Sequence, residues 1–181
     1  MSIAHASRRD FLKSAGAAGG ALMIGVYLPV KGGVEAQAAA LEPNVWVRIN
    51  ADDTVRIMLT QIEMGQGVMT SMPMLVAEEL DFDWTKIKTE WAPADAKKYG
   101  NPNFGGQQLT AGSNSVRGMW KVLRQAGGTA RAMLVTAAAQ NWNVPEASLT
   151  TDQGEVIHQA SGRRARYGSL VARASALPVP A

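Results

Sequence analysis

Apolar and polar side chains alternate over residues 44–50, with Val45, Val47 and Ile49 on one face and Trp46 and Arg48 on the other. Residues 54–60 repeat the alternation through Val55, Ile57 and Leu59. Ala51-Asp52-Asp53 supplies turn chemistry between the two runs, so the pair predicts a β-hairpin. After Gly67 the period becomes helical. Met69, Met72, Leu75, Val76 and Leu80 give an apolar face to a helix over 68–80. Pro73 has no N–H to donate, so it belongs in the first turn or marks a kink. Residues 87–92 read as a third strand.

Residues 94–113 are polar and glycine-rich, a loop length that is usually functional or disordered. Ser115 is placed to cap the longest helix, which runs to about Gln140. Met119, Trp120, Leu123, Gly127, Ala130, Leu134 and Ala137 recur along it at helical spacing. Its small residues Ala126, Gly127, Gly128 and Ala130 predict close approach to another element. Val144-Pro145-Glu146 breaks the chain. Two short strands, 149–151 and 155–158, flank the turn Asp152-Gln153-Gly154. A last helix covers 167–176, with Arg163-Arg164-Ala165-Arg166 as its solvated start. The order ββαβ, long loop, αββα predicts an α+β fold with an antiparallel-rich sheet and packed helices over residues 39–176. Residues 177–181, with two prolines, read as the start of a linker.

The first 38 residues follow a different logic. Ser7-Arg8-Arg9-Asp10-Phe11-Leu12-Lys13 is a complete twin-arginine export signature. A weakly apolar Gly/Ala-heavy stretch follows it, then the small-residue pattern Ala36-Gln37-Ala38. Charged start, apolar middle and small-residue end make residues 1–38 a signal peptide. The expected destination is the periplasm, with the leader either cleaved or kept as a tether. The twin-arginine route carries folded proteins, which hints at a cofactor acquired before export.

Charge and composition then exclude several functions. Of the chain's net +3, the leader accounts for two charges (Arg8, Arg9, Lys13 and Lys31 against Asp10 and Glu35) and leaves the remainder at +1. Nothing there draws the domain to nucleic acid. With no cysteine, the chain cannot hold an iron–sulfur cluster or a zinc–thiolate site. Of its two histidines, His5 lies in the leader and His158 in an expected strand, so no metal site is assigned.

Two segments carry candidate chemistry. In Glu63-Met64-Gly65-Gln66-Gly67, the glycines let backbone approach a ligand and the following helix start offers N–H groups to an anion. Gln66 adds a donor and an acceptor. Glu63 reads as structural. In Thr110-Ala111-Gly112-Ser113-Asn114-Ser115-Val116-Arg117-Gly118, hydroxyls and N–H groups at a second helix start suit a phosphate. Taken singly, the first segment reads as an ordinary strand–helix turn, and the second equally as plain helix capping by Ser113 or Ser115. The two should converge on one cleft if they share an extended phosphorylated ligand.

Together with Val76-Ala77-Glu78-Glu79-Leu80 and the tail from Tyr167-Gly168-Ser169-Leu170 to Leu177-Pro178-Val179-Pro180, these segments resemble the molybdopterin-binding large subunit of the xanthine dehydrogenase/aldehyde oxidase family. The resemblance is strongest to its isoquinoline 1-oxidoreductase beta-subunit group. It implies that Gln66, between Gly65 and Gly67, hydrogen-bonds the pterin. It implies that Gly112, Ser113, Asn114 and Ser115 hold the pterin and its phosphate. It further implies a molybdenum cofactor in the cytosine dinucleotide form and an N-heteroaromatic or aldehyde substrate. Electrons would leave through [2Fe–2S] clusters on a small partner subunit, with a cytochrome as a candidate acceptor. Family subunits are several times longer, and their catalytic glutamate has no counterpart among the carboxylates here. The expectation is therefore the N-terminal part of such a subunit, with no catalytic residue of its own. An exported, non-enzymatic module that binds a nucleotide or a partner protein is the alternative.

Overall fold

The computed structural model describes residues 22–25 and 45–180. The twin-arginine run and the Ala36-Gln37-Ala38 pattern lie outside the described residues, as does Ala181. Strands β1 (Leu22–Gly25), β2 (Val45–Ile49), β3 (Val55–Leu59) and β4 (Ile87–Trp91) form one sheet in that order. The β2–β3 hairpin is antiparallel, with Val47 opposite Ile57 and Ile49 opposite Val55. Its Asn50–Thr54 turn is closed by Asp52, whose Oδ1 accepts from the Thr54 N–H and hydroxyl.

β3 and β4 are parallel. Helix α1 (Val68–Leu80) makes the crossover between them, as parallel pairing requires. The sheet is antiparallel-rich, as expected, with this one parallel pair. Segment 94–113 is built rather than slack. It contains a one-turn helix α2 (Ala96–Tyr99) and a 3₁₀ turn (Pro102–Phe104), with Tyr99 and Asn101 buried. Helix α3 spans Ser115–Trp142. A second sheet, β5 (Leu149–Asp152), β6 (Glu155–His158) and β7 (Arg163–Arg166), is wholly antiparallel. The arginine run is thus a strand, not the start of helix α4 (Tyr167–Ala174).

The core lies between the β2–β3 face and the two long helices: Val47, Ile49, Val55, Ile57 and Leu59 against Val68, Met72, Val76, Met119, Leu123 and Leu134. α1 and α3 approach backbone to backbone at Gly127, where an added Cβ would lie 2.6 Å from the Val76 carbonyl oxygen. The expected close approach is real, and only hydrogen fits there. Two aromatic placements depart from the pattern. Trp46, expected on the polar face, is buried with its ring edge-on to Tyr99 at 5.4 Å. Trp120 and Met69, expected in the core stripes, are exposed.

Contacts around the sheet's ends fix the sense of the long helices. At one end, Asp81 at the close of α1 receives the Gly154 N–H on its carbonyl (2.8 Å) and the Thr151 hydroxyl on its carboxylate (2.7 Å). The Tyr167 hydroxyl there donates to the Leu80 carbonyl at 2.9 Å. At the other end β3 and β4 finish, and both long helices begin. Gly118 in the first turns of α3 packs on Asn101, and the Ile62 N–H donates to Thr110 Oγ1 at 2.9 Å.

Candidate functional site

Both candidate segments therefore lie at the carboxyl ends of the parallel strands β3 and β4, just beyond the hydrogen bond from Ile62 to Thr110 that ties their approaches together. Their chemistry differs. At the start of α1, Gly65 and Gly67 take left-handed backbone (φ +100° and +81°), which folds Glu63 back over the helix end. Glu63 Oε1 accepts from the Gly65 and Gly67 N–H groups at 2.8 and 3.0 Å, and Oε2 accepts from Met69 N–H at 3.0 Å. These bonds, the one from Met69 foremost, hold the Glu63 carboxyl below the usual carboxylate range. The N–H groups expected to meet an anion are thus already met by a carboxylate. Glu63 is structural, as the sequence indicated, and it corrects the reading of this turn as an open anion site.

Gln66 is bound within the same turn. Its Oε1 accepts from the Met64 N–H at 2.7 Å and its Nε2 donates to the Ile62 carbonyl at 2.8 Å. The side chain is exposed, and each end of an amide has capacity for a second bond. A Cβ on Gly65 or Gly67 would meet nothing within 4 Å, so a ligand has free approach to the backbone here.

The start of α3 is the opposite case. Asn114 is the cap residue but makes no capping bond, and Ser115 is the first helical residue rather than the cap. Asn114 is buried. Its Oδ1 accepts from Asn103 Nδ2 (2.9 Å) and Arg117 Nε (3.3 Å), and its carbonyl accepts from Asn101 Nδ2 (3.1 Å). Its side chain holds the loop. Ser113 is exposed in left-handed backbone (φ +51°) after Gly112 (φ +58°), and Ser115 is half-buried. The N–H groups of Ser115, Val116 and Arg117 find no acceptor among the described residues. No acidic residue occupies this first turn, and Arg117 adds a cation. An uncapped helix start with a cation and hydroxyls attracts an anion.

Beside the carboxyl ends of β3 and β4 opens a cleft of about 730 Å³ lined by Leu59, Thr60, Ile62, Trp91, Leu109 and Thr110, among others, none of them charged. Gln61 is fully buried. Its Oε1 accepts from the Thr60 hydroxyl at 2.8 Å, but its Nε2 has no partner. Assigning the amide the other way round moves the vacancy to oxygen without filling it. A buried amide end left unpaired costs about 1–3 kcal/mol. Sequence reasoning missed Gln61, because a polar residue just past a strand carries no periodic signal. At the far end of the molecule a hollow of about 230 Å³ is lined by charges. They pair among themselves, Arg164 with Glu155 (2.8 Å) and Arg166 with Asp53 (3.8 Å). Among the described residues no cluster of His, Asp and Glu could hold a metal ion.

A family model described as "Molybdopterin cofactor-binding domain" matches residues 4–180. The chain is 45% identical over 170 residues to isoquinoline 1-oxidoreductase subunit beta of Brevundimonas diminuta, covering 92% of this chain and 22% of that protein. It is 30% identical over 134 residues to a membrane-bound aldehyde dehydrogenase [pyrroloquinoline-quinone] of Gluconacetobacter polyoxogenes, covering 74% of this chain and 16% of that one. The fold is similar to that of the Cu,Mo-CO dehydrogenase in its carbon monoxide reduced state, with a TM-score of 0.56 at 19% identity over 83% of this chain and 18% of that chain. The chain thus spans under a quarter of the length of the curated relatives it matches.

Proposed function

The chain belongs to the molybdopterin cofactor-binding domain family, in the xanthine dehydrogenase group, and on that premise we propose that it is the N-terminal part of a molybdenum-dependent oxidoreductase subunit. The observation that carries the reading is the uncapped start of α3, bare of acid and flanked by Ser113, Ser115 and Arg117. These residues fit a phosphorylated cofactor: the N–H groups of Ser115, Val116 and Arg117 and the two hydroxyls would hold its phosphate. Gln66, on the exposed turn facing the same end, would offer its remaining donor and acceptor capacity to the pterin. Glu63 would act indirectly, by fixing that turn. When bound, the cofactor supplies two-electron redox chemistry at molybdenum, which no side chain here can supply.

The finer assignments follow from the kinship. We take the cofactor to be the cytosine dinucleotide form and the substrate an N-heteroaromatic or an aldehyde. Electrons would pass to a small [2Fe–2S] subunit, in keeping with a chain that has no cysteine. Export by the twin-arginine route would place the protein in the periplasm. The test is cofactor content. In the holoenzyme containing this chain, Gln66→Ala and the paired Ser113→Ala, Ser115→Ala change should each lower molybdenum and pterin per chain, with circular dichroism unchanged. Unaltered content in both would contradict the reading.

A further inference from the structure

We propose that the outer face of the first sheet, turned away from the long helices, docks an acidic protein partner through a row of three cations, Arg48, Arg56 and Lys88. Strand register makes the row. Arg48 stands directly opposite Arg56 across β2 and β3, and Arg56 stands beside Lys88 across β3 and β4. All three are exposed. Their strand neighbours Val47, Ile49, Val55 and Ile57 are buried in the core, so alternation turns the cations outward. Like charges directly opposite one another destabilise a sheet, and three in one rung ask for an anion to meet them. The molecule's own acids supply little. Glu90 pairs with Arg56, and Asp52 is held in its turn by Thr54. Arg48 and Lys88 form no ion pair among the described residues.

The surroundings say what kind of anion fits. Outside the leader the chain is close to charge balance, and Asp52 and Glu90 at the margins of the row would repel a phosphate backbone. Trp46, the aromatic side chain on this face, is buried against Tyr99 and offers no ring to a base. A protein surface matches better. Adjacent strands lie about 4.8 Å apart, and carboxylates at i and i+4 of a helix about 5–6 Å apart, so one acidic helix face can meet the three cations in turn. The face is also unlike one built to be covered permanently. Large exposed apolar side chains, the material of obligate interfaces, sit elsewhere: Met69, Met74 and Trp120 on the long helices, and Trp91 on the inner side of the sheet in register with Leu59. None of these flanks the cationic row. A charged, polar face of this kind suits a separate partner that is steered in and leaves again.

Fluorescence anisotropy of a labelled helical peptide with glutamates at i, i+4 and i+8, titrated with the holoenzyme containing this chain, tests this directly. The peptide should bind at about 20 mM salt and bind about tenfold or more weakly at about 200 mM. The paired change Arg48→Gln, Lys88→Gln should weaken binding about tenfold or more at the lower salt. Lys121→Gln, at an exposed cation of α3 on the other side of the sheet, should leave it unchanged. The paired variant should keep its molybdenum content and melt no lower than the parent, because it relieves a like-charge contact. If the peptide does not bind, or binds the paired variant as tightly as the parent, the proposal falls. An equal loss from Lys121→Gln would mean attraction to any surface cation and would overturn it. So would an oligothymidylate of about 12 nucleotides that binds more tightly than the peptide and loses affinity in the same paired variant, since the row would then be a nucleic-acid site. A paired variant that melts lower with its peptide affinity intact would assign the cations to the fold and sink the idea.

Discussion

At the residue scale, Glu63 decides the character of its turn. Its carboxylate satisfies three backbone N–H groups at the start of α1, and these bonds hold its pKa below the ordinary value. A carboxyl with a lowered folded pKa contributes stability above its unfolded pKa and loses it as pH falls through the folded value. The urea midpoint of the parent should therefore exceed that of Glu63→Gln at pH 7, and the gap should narrow as the pH is lowered through the depressed folded value. A gap independent of pH would mean the carboxylate's charge is not what caps the turn. The Gly-Gln-Gly segment was legible as a turn between strand and helix. Its internal carboxylate was not, because nothing in a string of letters says that Glu63 folds back on N–H groups two, four and six residues ahead. Trp46 shows the same limit: strand alternation put it on the solvent side, and only the return of Tyr99 from a distant segment covers it.

At the element scale, periodicity identified both long helices and the β2–β3 hairpin, since each keeps one clean apolar face. It missed β7, whose Arg163, Arg164 and Arg166 hold strand geometry through pairing with β6 and through ions such as Arg164 with Glu155. An alternation of charge with charge leaves no apolar signal. The four-residue β1 went unread for a related reason: it lies in a stretch whose glycines and alanines suggest a leader. Gly127 carries the element-scale prediction. Its missing side chain lets α1 and α3 meet at the Val76 carbonyl, and that backbone cannot step aside as a flexible side chain could. Gly127→Ala should cost about 1–3 kcal/mol in urea denaturation despite the better helix propensity of alanine. A neutral or stabilising effect would mean the helices are not held at this spacing.

At the scale of the whole molecule, the fold brings two chemically different helix starts to one end of one sheet, one filled by its own carboxylate and one left open. Glycines and hydroxyl side chains at both starts were grounds for pairing them; the asymmetry came from geometry. Export belongs to this scale too. Changing Arg8 and Arg9 together to lysine should leave the protein in the cytoplasm on fractionation, whereas unchanged export would remove the twin-arginine assignment. The most direct test of the site is amide mapping by ¹⁵N NMR of the 181-residue chain titrated with cytidine diphosphate. The account predicts the largest shifts at Ser113, Ser115, Val116 and Arg117, with smaller ones at Gly65 and Gly67, whose N–H groups Glu63 already occupies. Shifts confined to the charged hollow around Arg164 and Arg166, or none at either helix start, would contradict it.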